Sequence, residues 1–85
     1  MTNQEREAWA LAYRLYEEFA PAMRGAATVE NNADLTCALF ESVLERIRPV
    51  YKDTNSEGRL LLLGAYGILE RVYDEARKEY TPPPS

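Results

Sequence analysis

The sequence predicts an all-α fold, a small three-helix up-down-up bundle, from three observations. Apolar residues recur three and four positions apart in three separate stretches, as they do on one face of a helix. Polar segments separate these stretches, and no segment alternates apolar and polar residues in the manner of a strand. A chain of 85 residues has room for one domain with a modest core. We expect a single helical domain over residues 1–80 and a disordered Pro-rich tail over residues 81–85.

The first helix is predicted over residues 3–24. Thr2 and Glu5 have the spacing of a capping box, in which each side chain bonds the other residue's backbone N–H. Apolar side chains cover an arc of about 200° on a helical wheel, whereas one neighbouring helix requires only about 100°. We therefore expect this helix to contact two neighbours, or one neighbour and a partner chain. Pro21 predicts a kink, and Gly25 is a candidate C-cap.

The second helix is predicted over residues 33–48. Asn31 or Asn32 is expected to cap its N-terminus. Its apolar arc includes Cys37, which we interpret as a small core residue, because a reactive thiol requires a basic and partly exposed setting. The helix is expected to end before Pro49, since the residue preceding a proline disfavours helical geometry.

The third helix is predicted over residues 57–80 and carries apolar residues on two opposite sides. One side is a heptad-like seam that predicts packing against the other helices: Leu62, Tyr66, Leu69, Tyr73, Ala76 and Tyr80. The other side is a candidate interface: Leu60, Leu63, Gly64 and Gly67.

The two glycines of the candidate interface need an explanation, because each glycine inside a helix costs about 1 kcal/mol relative to alanine. Small residues one turn apart allow another backbone to approach closely. That backbone belongs either to this chain, in the segment between Pro21 and Asn32 or at the N-terminus, or to a partner. On this basis Gly64→Leu or Gly67→Leu should disrupt association or folding far more than Gly58→Leu.

Residue types and their spacing argue against an enzyme, a metal site and a cofactor. The chain has no histidine, the commonest general base and metal ligand. No serine or threonine has a base at a suggestive spacing, and no glycine-rich phosphate loop is present. The glutamate pairs, Glu17 with Glu18 and Glu41 with Glu45, lie on polar arcs and are interpreted as solvated faces.

The charge and the apolar runs argue against nucleic acid and membrane as partners. Fourteen acidic and ten basic residues give a formal charge of −4, which repels nucleic acid. The longest apolar run, residues 60–69, is too short to span a bilayer. The N-terminus is polar, unlike a signal peptide, and a single cysteine allows no internal disulfide. We therefore expect a cytoplasmic protein.

Two further groups of residues are candidate binding sites. Four basic residues around the second connection form a candidate patch for an anion or an acidic partner: Arg46, Arg48, Lys52 and Arg59. Four tyrosines either fill the core or line an aromatic groove between the first and third helices that accepts a peptide or a flat ligand: Tyr13, Tyr16, Tyr66 and Tyr73.

The favoured function is a non-enzymatic helical protein-interaction module that binds or blocks a macromolecular partner as a homodimer. The reason is that the wide apolar arcs exceed what a minimal three-helix bundle hides. One alternative is a small phage or mobile-element inhibitor of a host defence protein, suggested by small size, acidic charge and the lack of catalytic chemistry. Another is an oligomer that sequesters a small anionic ligand, such as a nucleotide, at the basic patch.

Overall fold

The protein is described by a computed structural model over residues 2–82, and in these residues it consists of three α-helices without a β-strand. They are α1 (Asn3–Ala27), α2 (Ala33–Asp53) and α3 (Ser56–Glu79). The predicted all-α helical bundle is therefore confirmed. Most of the predicted Pro-rich tail, residues 83–85, lies outside the described residues.

α1 begins where the sequence predicts and ends later. Thr2 caps the helix, since its Oγ1 accepts a hydrogen bond from the backbone N–H of Glu5 at 3.1 Å. The helix is continuous through Pro21 and ends at Ala27 with Thr28 as C-cap, so the expected end near residue 24, with Gly25 as C-cap, is wrong. Met23 and two following alanines are buried, and their burial offsets the hydrogen bond lost at Pro21. The kink at Pro21 stays a prediction.

α2 also passes through a proline, so the prediction that it ends before Pro49 is wrong. The helix continues to Asp53. Pro49 is exposed, so water can bond the carbonyl that loses its partner one turn earlier. Beyond it, Val50 and Tyr51 are partly buried against the core, and this burial favours continuing the helix.

α1 is the helix that contacts both of the others. Its contact with α3 is the most extensive, its contact with α2 is smaller, and α2 and α3 contact each other least. The wide apolar arc of α1 thus serves two neighbours. The largest fully buried side chains come from all three helices: Leu15, Met23, Val43, Leu62 and Leu69.

The apolar arc of α2 is buried on one side only. Val43 and Ile47 are buried, whereas Leu35 and Cys37 are exposed. The interpretation of Cys37 as a core residue is therefore wrong. Because α2 packs mainly on α1, the side of its arc that carries Cys37 stays open beside α3.

Hydrogen bonds join α1 and α3 at both ends. The Asn55 side chain caps α3, accepting from the Gly58 N–H at 3.0 Å, and its Nδ2 donates to Glu5 Oε1 at 2.8 Å. At the other end of α3, Arg77 Nη1 donates to the Ala27 carbonyl at 2.9 Å. The start of α3 therefore lies beside the start of α1, and the end of α3 beside the end of α1.

Candidate interaction surfaces

Five of the six large exposed apolar side chains of α1 and α3 border a groove between these helices. Its volume is about 430 Å³. We call it the apolar groove, and it is lined by Trp9, Ala12, Tyr13, Tyr16, Leu60, Leu61, Gly64, Ala65 and Ile68. No charged side chain belongs to this lining. Binding a partner that removes such a surface from water lowers the free energy.

The helical register explains why these side chains meet. Trp9, Tyr13 and Tyr16 follow one another at spacings of four and three along α1, so they share one side of that helix. Leu60, Gly64 and Ile68 are spaced four residues apart along α3, so they share one side of that helix. Trp9 and Tyr13 pack edge to face, with their ring centroids 6.3 Å apart. Apart from its chain neighbours and the backbone of its own helix, a Cβ at Gly64 would meet no atom within 4 Å, so the groove is open at that point.

The exposed area of this groove is large for so small a protein. Leu60 is 68% exposed, and Tyr13, Trp9 and Tyr16 are 57%, 49% and 42% exposed. At about 200 Å² per aromatic residue, the three rings alone leave about 300 Å² in water. The largest apolar patch on a typical monomer measures about 300–600 Å² in total and often has a function. The apolar groove therefore qualifies as a candidate interaction surface.

The predicted interface residues of α3 are only partly joined by this groove. Leu60 and Gly64 line it, whereas Leu63 and Gly67 are exposed farther around the helix. All four are exposed, so the interpretation that they pack inside the chain is wrong. These four residues therefore form a surface that a partner can reach.

The four candidate tyrosines lie in two different grooves. Tyr13 and Tyr16 line the apolar groove, whereas Tyr66 and Tyr73 line a second groove between α2 and α3. The prediction of one aromatic groove lined by all four is therefore wrong. The ring of Phe40 in α2 lies 5.4 Å from that of Tyr66 and 6.3 Å from that of Tyr73, which draws these two rings toward α2.

The second groove has an aromatic wall and an acidic rim. Its volume is about 470 Å³, and we call it the acidic groove; it is lined by Thr36, Cys37, Phe40, Glu41, Leu44, Tyr66, Glu70, Tyr73 and Asp74. The Tyr73 hydroxyl accepts a hydrogen bond from Asn32 Nδ2 at 2.7 Å, which fixes its ring. Burial raises the pKa of the Tyr66 phenol, and the nearby Glu70 carboxylate raises that pKa further.

The four basic candidates do not converge on one anion site. Arg46 Nη1 bonds Glu18 Oε2 at 2.6 Å, and this hydrogen bond lowers the pKa of the Glu18 carboxyl. Arg59 Nε donates to the Tyr51 carbonyl at 3.0 Å, and its guanidinium lies 5.1 Å from the centre of the Tyr51 ring. Arg48 is exposed about 200° around α2 from Arg46. Lys52 is also exposed, one turn beyond Arg48. Two of the four cations are thus already engaged within the chain.

Among residues 2–82, no group of three or more His, Cys, Asp or Glu side chains is arranged to hold a metal ion. Within the same residues, no helix combines the length and the hydropathy that crossing a bilayer requires. No protein family matches this chain, and no curated protein or solved structure shows significant similarity to it. The chain's own geometry is therefore the basis for a functional assignment.

Sequence reasoning missed several residues of both grooves. Trp9 and Ile68 border the apolar groove, and Glu70 and Asp74 form the rim of the acidic groove on α3. The excess width of the apolar arc on α1 was a signal for Trp9, because the residues at the edge of such an arc lie beyond the core. No sequence pattern marks Glu70 and Asp74 as groove residues, because their position in the groove depends on which side of α3 faces α2.

Proposed function

We propose that this protein is a non-enzymatic helical interaction module that acts as a homodimer and binds or blocks a macromolecular partner. One observation carries the proposal: the exposed apolar groove, which has no charged side chain in its lining. Burying apolar surface is the main favourable term in most protein associations.

A second copy of the chain is the occupant that the groove's shape supports. A two-fold interface requires one patch to carry both a protrusion and the recess that receives it. Leu60 protrudes, and the open space at Gly64 lies one turn away on the same helix. Two antiparallel α3 helices related by a two-fold axis would bring each Leu60 close to the Gly64 of the other copy.

We further infer that the three helices follow one another in an up-down-up course. The bond between Asn55 and Glu5 supports adjacent starts for α3 and α1, and the bond between Arg77 and Ala27 supports adjacent ends. Helix α2 then returns between them in the opposite direction. In this arrangement Trp9 and Leu60 lie at the same end of the bundle.

Sedimentation velocity over a range of protein concentrations tests the homodimer. We expect the wild type to associate at micromolar concentration and Leu60→Glu to weaken association at least about tenfold, since a charge would be buried in an apolar interface. Leu35→Glu is the matched control, because Leu35 is also exposed but α2 contributes nothing to the apolar groove. Trp9 is the only tryptophan, so its emission should shift to shorter wavelength as dimers form.

Two results would contradict the proposal. A wild-type protein that stays monomeric at several hundred micromolar rules out the homodimer. Equal weakening of association by Leu60→Glu and Leu35→Glu, with unchanged circular dichroism, would move the interface away from the apolar groove.

A further inference from the structure

We propose that the acidic groove binds a cationic side chain, arginine or lysine, presented next to an apolar residue by a segment of a partner protein. The groove lies between α2 and α3, whereas the apolar groove lies between α1 and α3. The two sites use different residues. This inference is therefore independent of homodimer formation.

The aromatic wall supplies the first part of the recognition. Phe40, Tyr66 and Tyr73 line the groove together, with ring centroids 5.4 Å and 6.3 Å from Phe40. Aromatic faces carry a negative quadrupole that attracts an ammonium or guanidinium group lying over them. Tyr73 is held in place by its hydrogen bond to Asn32, so part of the wall is formed before a ligand arrives.

The acidic rim supplies the second part. Glu41 projects from α2, and Glu70 and Asp74 lie one turn apart on α3. Within residues 2–82, none of these three carboxylates has a lysine or arginine nitrogen within 4.0 Å. The charge of Glu70 already acts on the groove wall, because it contributes to the raised pKa of Tyr66. Arg71 and Lys78 line a neighbouring depression together with Glu70 and Asp74. The rim carboxylates are therefore near cations of the chain but form no close ion pair with them within residues 2–82.

Charge complementarity selects the occupant. Three carboxylates beside aromatic rings attract a cation and repel phosphates, in a chain whose formal charge is already −4. Leu44 and Cys37 extend the lining with apolar surface, which suits a neighbouring apolar side chain. The groove volume of about 470 Å³ lies within the range of about 300–1,000 Å³ typical of ligand pockets. Arginine fits best, since its planar guanidinium both stacks on rings and bonds carboxylates in pairs.

Fluorescence anisotropy with a defined probe tests the site. The probe is a short fluorescein-labelled peptide of alternating arginine and leucine, and its control carries citrulline, which has nearly the shape of arginine without the charge. We expect the full-length protein to bind the arginine peptide at least about tenfold more tightly than the citrulline peptide. Equal binding of the two peptides, or no binding of the arginine peptide at millimolar protein, would overturn the proposal.

Charge-matched variants locate the binding. The double variant Glu70→Gln with Asp74→Asn should weaken binding of the arginine peptide about fivefold, the size expected from two exposed ion pairs. The control, Glu57→Gln with Glu79→Gln, removes the same charge from α3 outside the groove and should change binding less than about twofold. Equal weakening by both double variants would mean that the overall acidic charge of the protein attracts the peptide. That result would contradict a binding site in the acidic groove.

Two further variants separate this site from folding and from the homodimer. Tyr66→Phe keeps the ring and should retain peptide binding, whereas Tyr66→Leu should lose it while circular dichroism stays unchanged. Loss of binding by Tyr66→Phe would contradict the proposal that the aromatic ring of Tyr66 binds the cation. Leu60→Glu, which is designed to prevent homodimer formation, should leave peptide binding within about twofold. Peptide binding that disappears with Leu60→Glu would contradict the independence of the two grooves.

Discussion

At the scale of single residues, Gly58 is the position where the absence of a side chain matters most. It lies in the first turn of α3 and is buried. A Cβ built there would overlap Thr54 Oγ1 and lie 2.9 Å from the Thr54 Cβ and Cγ2 atoms. Thr54 is itself buried, and its hydroxyl donates to the Gln4 carbonyl at 3.4 Å, so it has little freedom to move.

Gly58→Ala should lower the free energy of unfolding by about 1–3 kcal/mol, the usual cost of overpacking. Gly64→Ala should raise it by up to about 1 kcal/mol, because alanine favours a helix and its Cβ would meet no atom within 4 Å beyond its chain neighbours and its own helix backbone. Urea unfolding followed by circular dichroism, at a protein concentration low enough to avoid association, measures both. A larger loss of unfolding free energy for Gly64→Ala than for Gly58→Ala would contradict the conclusion that Gly58 is the more tightly packed glycine.

The earlier expectation that Gly64 and Gly67 matter more than Gly58 is thus reversed for folding. Helical periodicity places Gly64 and Gly67 on one side of α3 but does not say whether another backbone approaches that side. In the folded chain the close approach occurs at Gly58, against Thr54 in the connection before α3. For association, the expectation stays a prediction.

At the scale of elements, the connection between α1 and α2 is held by α3. Arg77 Nη1 donates to the carbonyls of Ala27 and Val29, both at 2.9 Å, and Nη2 donates to the Glu30 carbonyl at 3.4 Å. Asn32 Nδ2 donates to the Ala26 carbonyl at 3.0 Å. The carbonyls at the end of a helix lack partners within the helix, and Arg77 supplies donors to three carbonyls at and just beyond the end of α1. The Ala26 carbonyl accepts from the Val29 N–H as well as from Asn32.

Arg77→Ala should lower the free energy of unfolding by about 1–3 kcal/mol, since hydrogen bonds from a charged group are stronger than average and three carbonyls lose a donor. Arg77→Lys should recover only part of this loss, because an ammonium lacks the planar fork. Lys78→Ala, an exposed neighbour on α3, is the control and should change stability by less than about 0.5 kcal/mol.

Amide hydrogen exchange of residues 28–31 provides the local readout for the same variants. Faster exchange there in Arg77→Ala, with unchanged exchange in the middle of α1, is the expected pattern. A uniform change over the whole chain would mean that Arg77 stabilises the bundle in general rather than this connection.

At the scale of the whole molecule, the two grooves border α3 and have opposite character. The lining of the apolar groove has no charged residue, and that of the acidic groove contains three carboxylates. Association through the first depends on removing apolar surface from water, and binding in the second depends partly on charge. The effect of salt concentration on binding should therefore distinguish the two grooves.

Raising the ionic strength from about 0.1 M to about 1 M shortens the Debye length from about 10 Å to about 3 Å. We expect the homodimer dissociation constant to change less than about twofold, and that of the arginine peptide to rise about fivefold or more. Sedimentation velocity and anisotropy in the same sodium chloride series measure both. Salt-sensitive dimerisation together with salt-insensitive peptide binding would contradict the assignment of the two grooves.

The sequence predicted the three helices well at their starts and less well at their ends. Capping residues act locally, so Thr2 could be identified as a candidate from its neighbours in the chain. The ends of α1 and α2 lie beyond Pro21 and Pro49, where a local rule favours stopping. Continuing past them depends on what the following turns bury, and that depends on the other helices.

The candidate sites were predictable to a smaller extent. Leu60 and Gly64 were identified because an apolar group stands opposite the main seam of α3, and both line the apolar groove. Tyr66 and Tyr73 were identified as aromatic wall residues but were assigned to the wrong pair of helices. Cys37 was assigned to the core because its helical wheel position is apolar, although only α1 covers α2 closely.

The sequence by itself determined the fold class, the three helices and the apolar sides that they must cover, because helical periodicity and capping are local properties of the chain. Only the tertiary structure decided which of these sides stay uncovered. α1 packs most closely on α3, and α2 contacts α3 least, so one groove opens beside Trp9 and another beside Phe40. Burial depends on contacts between residues distant in sequence, and periodicity within one helix carries no information about them.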